Sequence, residues 1–424
     1  MKEAQLIAAG LVKDVQEGSN LSKIFQKHTK KNKINQKNKA QIKDLVYGTL
    51  RSYGKTKFII NKLVKRTPSN LLILNLLHVA LFQLISNRSN SYTVVDQIVS
   101  ASNMVSKSHT GFINGVLRTF LRKKETLLEE SQDDLEAKYS YPIWWINQIK
   151  TEYPKAWQNI LDVGNSHPAL IIRVNLRKTS INKYAKKLET QNVEHLLLGY
   201  EAILIKKPMQ IDSLPGFNEG EVSIQDYGAQ LAAHLLDLKK NHTVLDACSA
   251  PGGKACHMVE IQDIKLTAVE VDKQRVERIN ENLNRLGHSF KVINDAVNVK
   301  NSWHDKKSFD RVLLDVPCSA SGIVRRHIDI KWLRRFSDLK YFHEKQFDLL
   351  KASWKLLKGE GKLLYVTCSI FNVENRMVVD RFLKEEKTAN EIKIKFPKNV
   401  NVADNQLLPS LAHDGLFYAL LQKE

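Results

Sequence analysis

The sequence is poor in cysteine, poor in acid and without a long apolar run, and each shortage narrows what the chain can be. Only four of 424 residues are cysteine, at positions 248, 256, 318 and 368. None forms a C-x-x-C pair, so neither a disulfide-stapled secreted scaffold nor a thiolate zinc site is expected, and the four read as free thiols in a reducing compartment. The longest apolar stretch, Leu71 to Ile85, is interrupted by Asn75, His78 and Gln83 and falls short of the ~20 residues of a membrane span. It reads as a buried core helix. The N-terminal MKEAQLIAAGLVKDVQEG lacks an apolar signal core and a small-residue cleavage site, so an unsecreted, cytoplasmic protein is expected.

Acid is the third shortage: 45 Asp+Glu stand against 65 Lys+Arg, a net charge of +20. Such a surplus suits a polyanion, a nucleic acid before an acidic membrane surface. It is unevenly spread. Residues 1–130 carry 22 basic and 8 acidic side chains, a net of +14, whereas residues 131–424 carry 43 and 37, a net of +6. The segment Lys23 to Lys43 holds eight lysines and no acid. A solvated helix face is the plain alternative, but no acidic block nearby offsets the run, and a polyanion contact is favoured. Hydrophobic residues at 43% make the chain globular, and its length allows two or three domains.

Three regions follow from the apolar spacing. Residues 1–130 show helical periodicity throughout, as in Leu45, Val46, Leu50 and Ile59, Ile60, Leu63, Val64. The acidic run Glu129 to Glu136 reads as a linker or the start of a connecting helix. Residues 131–235 mix helical segments with short β-rich runs, Ile171–Val174 and Ala202–Ile205, and form a small α+β unit. Residues 236–424 alternate strand and helix, the signature of a doubly wound α/β domain. Its strands are expected at Thr243–Ala247, Leu266–Val271, Phe290–Ile293, Arg311–Leu314 and Lys362–Val366. Asp272 is placed to cap a helix with the apolar face Val276, Ile279, Leu283 and Leu286, and Gly287 to end it.

The first of these strands runs into Cys248-Ser249-Ala250-Pro251-Gly252-Gly253-Lys254, a loop before a helix. The two glycines suit a sharp turn close to a ligand. Neither the dinucleotide G-x-G-x-x-G nor the Walker spacing is present, which weakens phosphate-centred readings. Glu270, Asp295 and Asp315 stand at the carboxyl ends of the second, third and fourth strands, the edge at which open α/β sheets bind ligands. Any one of them could merely cap a helix; three beside a Gly-Gly loop favour an adenosine-type ligand. Cys318 follows the fourth strand and Cys368 ends the fifth. Since neighbouring strands lie ~4.8 Å apart, pairing of these two would bring both thiols to the ligand edge. A lone cysteine is more often an inert buried hydrophobe, and Cys248 and Cys256 are read so, apart from the Cys248 backbone in the loop.

With Pro317-Cys318, Thr367-Cys368 and the loop Ala247 to Lys254 in view, the chain resembles the S-adenosylmethionine-dependent RNA 5-methylcytosine methyltransferases. The segment Asp315 to Arg335 narrows the likeness to the bacterial Sun/Fmu group, which acts on 16S rRNA. Arg51-Ser-Tyr53 and Gly111 to Arg118 are similar to its NusB-like RNA-binding domain, and Leu214 to Phe217 with Ile224 to Asp226 to the approach to its Rossmann-like catalytic domain. The resemblance implies that Cys368 is the nucleophile, that Cys318 assists product release, and that Asp315 bonds the cytosine edge near the methyl donor. It implies that the loop Cys248 to Lys254 surrounds the methionine and ribose, Glu270 the ribose hydroxyls and Asp295 the adenine. The run Arg325, Arg326, Lys331, Arg334 and Arg335 is expected on RNA phosphates. Glu270 stands where many members carry Asp, Val316 for the commoner Ala, and Ile328 where Pro is frequent; no functional group is lost. The expected protein is a monomeric, metal-free 16S rRNA methyltransferase away from membranes. Competing readings are the same reaction on tRNA, a non-enzymatic antitermination factor, and a DNA cytosine methyltransferase using the Pro-Cys thiol.

Overall fold

A computed structural model describes residues 2–31, 34–297 and 308–424. Lys33, within the lysine-rich segment, lies outside them. The chain forms two compact units, Met1–Asn165 with Val324–Phe336, and Ser166–Ile323 with Ser337–Glu424.

The first unit is helical. Its centre is the helix Leu71–Ser86, started by Asn70, whose side chain accepts from the amides of Leu72 and Ile73. The three polar residues that interrupt its apolar run each meet a neighbouring helix. Asn75 and Gln16 exchange hydrogen bonds of 2.9 and 3.1 Å, Gln5 donates to Gln83 at 2.8 Å, and Thr56 Oγ1 lies 2.7 Å from His78 Nδ1. Among the described residues no helix is long and apolar enough to cross a membrane.

Of the two readings of the acidic run, linker or start of a helix, the second holds. Glu130 pairs with Lys62 and Glu136 with Lys57, each at 2.8 Å, and Asp134 caps the helix Leu135–Tyr139 by accepting from Ala137 N. These acids lie on the basic helix Tyr53–Leu63, and the compact unit that holds them runs to Asn165.

The unit also takes in Val324–Phe336, from deep in the C-terminal half. Asp329 Oδ2 accepts from Leu21 N at 2.9 Å, at the start of the helix Leu21–Lys31. Trp332 Nε1 donates to Leu50 O at 2.8 Å and Arg51 to Arg325 O at 3.3 Å, while the Tyr53 ring meets Trp332 edge-on. Arg51 and Tyr53, expected as part of an RNA-binding motif, thus hold this segment.

In the second unit the described strands form two sheets. The smaller, antiparallel, has β1 (Leu170–Val174), β2 (His195–Gly199), β3 (Ala202–Ile205) and β4 (Val222–Ile224) in the order β2-β3-β1-β4. The larger holds β5 (Thr243–Ala247), β6 (Lys265–Glu270), β7 (Lys291–Asn294), β8 (Phe309–Asp315), β9 (Leu357–Thr367), β10 (Ala389–Ile392), β11 (Val402–Ala403), β12 (Gln406–Leu407) and β13 (Leu416–Lys423). Strands β7-β6-β5-β8-β9 lie in that order and parallel, and β13 closes antiparallel on β9. Chain order reverses at β5, flanked by β6 and β8, which makes the carboxyl end of β5 a switch-point crevice.

Arg173 on β1 ties the sheets together. Fully buried, it grips both oxygens of Glu260 at 2.7 and 2.8 Å and donates to Gly253 O at 2.7 Å, at the start of the helix Gly253–Ile261.

Candidate active site

Five strands deliver their carboxyl ends to one edge, and a cavity of about 440 Å³ opens there. Sites for small ligands commonly span about 300–1,000 Å³. Its wall includes Cys248, Ala250, Glu270, Asp295, Asp315, Cys318 and Cys368, so the expected loop, acids and thiols converge on one space.

The loop is shaped by its backbone. Gly252 has φ +89°, a conformation that strains any side chain, and a Cβ there would also crowd Ile279 Cγ2 at 3.2 Å. Gly253 does not share this need: it is the first residue of the helix, and a Cβ would meet nothing closer than 3.8 Å. Ser249 turns inward, donating to Asp246 Oδ2 at 2.8 Å. Asp246 is itself buried with Oδ1 unpartnered, and burial, with Asp315 and Glu270 nearby, pushes its carboxyl up to about 7. Of the loop, only Cys248 and Ala250 line the cavity; Ser249, Pro251, Gly252, Gly253 and Lys254 shape it from behind.

Glu270 closes β6 with its carboxylate accepting from Ala250 N at 3.2 Å and Asp272 N at 3.1 Å, and with Arg275 3.4 Å away. These bonds fix the carboxylate on the cavity wall. The Asp295 amide donates to Glu270 O at 3.1 Å, which sets the next acid beside it. Asp315, at the end of β8, pairs with Lys254 Nζ at 2.6 Å. Burial works against the lysine's charge, but Asp315, Cys368 and Asp246 together hold its pKa above the ordinary value.

Strands β8 and β9 are parallel neighbours, with Asp315 level with Val366. The turns leaving them bring Cys318 Sγ to 3.3 Å from Cys368 Sγ; neither is in a disulfide. The contact with Cys368, burial and the charge of Glu374 all push the Cys318 thiol well up. Cys248 and Cys256 are pushed up to about 12, chiefly by burial, as the inert reading expects.

The basic run divides. Arg325 and Lys331 are 2% and 0% exposed, which corrects their assignment to RNA phosphates. Lys331 Nζ donates to Asn165 Oδ1 at 2.7 Å and lies 4.4 Å from the centre of the Tyr141 ring; burial pushes its pKa well down. Arg326 and Arg334 are half-buried and Arg335 is exposed. Two charged cavity residues went unread in the sequence. Arg275, which also donates to Ala250 O at 2.8 Å, follows the Asp272 cap by three residues, and Lys345 sits one helical turn before Leu349. Arg275 lies off the apolar face by which its helix was read, and the helix Asp338–Lys355 that carries Lys345 was not read at all.

A second polar cluster lies in the same unit. Glu201 Oε2 is 2.8 Å from His234 Nε2 and 3.2 Å from His257 Nε2, a set able to ligate a metal. His257 Nδ1, however, is buried without a partner, whereas a metal-bound imidazole donates its other N–H to an acceptor. Burial also pushes His257 down to about 4, so it is a neutral donor to the carboxylate near pH 7. The cluster is a hydrogen-bond hub.

Known proteins share this arrangement along the whole chain. Residues 233–422 match the family model described as 16S rRNA methyltransferase RsmB/F, residues 141–212 the RsmF/B-like ferredoxin-like domain, and residues 2–122 the NusB family. A probable ribosomal RNA small subunit methyltransferase B of Coxiella burnetii is 39% identical over 406 residues, 92% of this chain and 93% of that protein.

The chain belongs to the RsmB/F family.

The ribosomal RNA small subunit methyltransferase B of Proteus mirabilis is 35% identical over 426 residues, covering 99% of this chain and 98% of its own. Among solved structures, PH0851 superposes with a TM-score of 0.80 at 25% identity over 99% of both chains. A methyltransferase homologue from Pyrococcus horikoshii reaches 0.61 at 23% identity over 70% of this chain and 99% of its own, and shares the fold. This RsmB/F chain is thus a methyltransferase with a NusB-like helical domain, a ferredoxin-like domain and a Rossmann-like domain whose cofactor is S-adenosylmethionine.

The cavity fits that cofactor. Its volume is sufficient, Gly252 leaves the loop without a side chain where the chain turns, and a buried carboxylate waits at the end of β6, where an acid accepts from ribose hydroxyls.

Proposed function

We propose that this RsmB/F methyltransferase modifies carbon 5 of a cytosine in 16S rRNA through a covalent cysteine–base adduct. The observation that carries the reading is the 3.3 Å approach of Cys318 and Cys368 on the wall of a cavity that also holds Asp315. Methyl transfer to an atom that is already nucleophilic needs no thiol at all. Cytosine C5 is a poor nucleophile, and a paired-thiol site answers that difficulty.

S-adenosylmethionine, when bound, supplies an electrophilic methyl group; Glu270 would hold its ribose, Asp295 its adenine and the loop Cys248 to Lys254 its methionine. The Cys368 thiolate adds to C6 of the cytosine, an Sγ–C6 bond forms, and the electrons of the C5–C6 double bond make C5 nucleophilic. Asp315, on the base's N3/N4 edge, offsets the charge that develops there. C5 then takes the methyl group, whose bond to the donor sulfur would break to leave S-adenosylhomocysteine. Loss of the C5 proton to a base restores the double bond and expels the Cys368 thiolate, and Cys318, 3.3 Å away, assists that elimination. Lys254, paired with Asp315, keeps a positive charge at this end of the cavity.

The two thiols have opposite expected phenotypes. With transcribed 16S rRNA and S-adenosylmethionine, Cys318→Ala accumulates a protein–RNA adduct stable to denaturing electrophoresis, and Cys368→Ala forms none. An adduct in Cys368→Ala, or none in Cys318→Ala, contradicts the assignment. Arg326, Arg334 and Arg335 remain proposed phosphate contacts, and substitution by Ala should weaken RNA binding and flatten its salt dependence.

A further inference from the structure

Each of the two cysteines is followed by a serine, and both serines point at one carboxylate. Glu374 is fully buried. Its Oε1 accepts from the Ser319 amide at 2.7 Å and from Gln346 Nε2 at 3.1 Å; its Oε2 accepts from Ser369 Oγ at 2.6 Å and from Ser319 Oγ at 2.5 Å. Ser319 is the residue after Cys318 and Ser369 the residue after Cys368. The residues before the thiols are tied to the same frame. Gln346 also donates to Pro317 O at 3.1 Å, and Asn375 accepts from Thr367 Oγ1 at 2.5 Å while donating to Ser369 O at 2.9 Å.

A buried carboxylate is a costly way to fill a core, and well-packed apolar residues stabilise at least as well. What it adds is geometry: it accepts its bonds from fixed directions, and burial raises its carboxyl while the bonds from Ser319, Ser369 and Gln346 oppose that rise. We propose that Glu374 is the positioning residue for the thiol pair, one carboxylate that clamps the turn after Cys318 to the turn after Cys368 and so sets the distance between the two sulfurs. It does not line the cavity, so it acts through the turns and not on the base. Its charge also reaches one of the thiols. It helps to push Cys318 up, which keeps that residue a protonated thiol beside Cys368.

The inference deepens the two-thiol reading above and rests on it, but its geometry can be measured without RNA. Diamide, a thiol oxidant, should close a Cys318–Cys368 disulfide readily in the wild-type full-length protein, read by intact mass and peptide mapping. In Glu374→Ala the rate should fall at least about tenfold, and kcat for methyl transfer should fall about 10–100-fold with KM for RNA and for S-adenosylmethionine within about twofold. Glu374→Gln, which keeps an acceptor for the Ser319 amide, should recover part of both. If Glu374→Ala fails to fold, Ser319→Ala and Ser369→Ala each remove one arm and should each slow both processes severalfold. An unchanged disulfide rate in these variants overturns the clamp, whatever happens to activity. A slowed disulfide with unchanged methyl transfer supports the clamp and overturns the two-thiol chemistry.

Discussion

Lys254 Nζ lies 2.6 Å from Asp315 Oδ2, so the last residue of the glycine loop is joined to the acid that ends β8. The sequence places these two in separate motifs, one for the cofactor and one for the base. The ion pair joins the two motifs, and Cys368 is among the groups that help to hold the lysine's charge.

Lys254→Met should therefore behave as a catalytic lesion. A preorganised charge of this kind is worth about 10²–10³ in kcat, and a loss of that order is expected with little change in RNA affinity. The melting temperature should move by less than about 5 °C, since the pair is partly exposed. Steady-state methylation with labelled S-adenosylmethionine, together with a thermal melt, checks both halves. Full activity in the variant would remove Lys254 from the mechanism.

Asp246 gives a pH signature. Its carboxyl is raised from 3.8 to about 7 by burial. A raised carboxyl holds its proton in the folded state while the unfolded chain has lost it, so its contribution to stability declines as pH rises between those two values and stays unfavourable above them. Asp246→Asn keeps the shape of the protonated acid and removes that dependence. Relative to wild type, the variant should be stabilised at pH 8 by on the order of 2–4 kcal/mol and hardly changed at pH 4. Denaturant melts at the two pH values decide the matter; an equal effect at both would show that the buried acid does not titrate in this window.

The four thiols should react unequally. Cys256 is fully buried, and Cys256 and Cys248 are both pushed up to about 12. Cys318 is pushed well up. Limited iodoacetamide treatment at pH 8 followed by peptide mass mapping should find label on Cys368 first, with Cys248 and Cys256 unmodified. Preferential labelling of Cys248, which also faces the cavity, would count against the electrostatic account.

Much of this was legible from residues alone, for identifiable reasons. The five parallel strands are short apolar runs punctuated by Gly, Asp and Pro, and Thr243–Ala247 and the Asp272 cap stand where the pattern put them. Strand β13 was not read, because six consecutive buried positions, Leu416 to Leu421, erase the alternation that marks a strand, and β11 and β12 are two residues each. Charge patterning misled in one direction. Arg325 and Lys331 look like surface cations in sequence, yet they belong to a segment held in the helical unit, where Asn165 and the Tyr141 ring receive the lysine. Glu374 was invisible for the converse reason: an isolated acid five residues after Ser369 has no periodic signature, and only the fold shows two serines turning towards it.

Cys368 is the proposed nucleophile that activates C5. The most direct measurement is methyl transfer from labelled S-adenosylmethionine to transcribed 16S rRNA by Cys368→Ala, with bisulfite mapping of the product. Transfer should fall by at least about 1,000-fold, and the wild-type reaction should yield one bisulfite-resistant cytosine. Retained transfer in Cys368→Ala, or a wild-type product without a resistant cytosine, would contradict it.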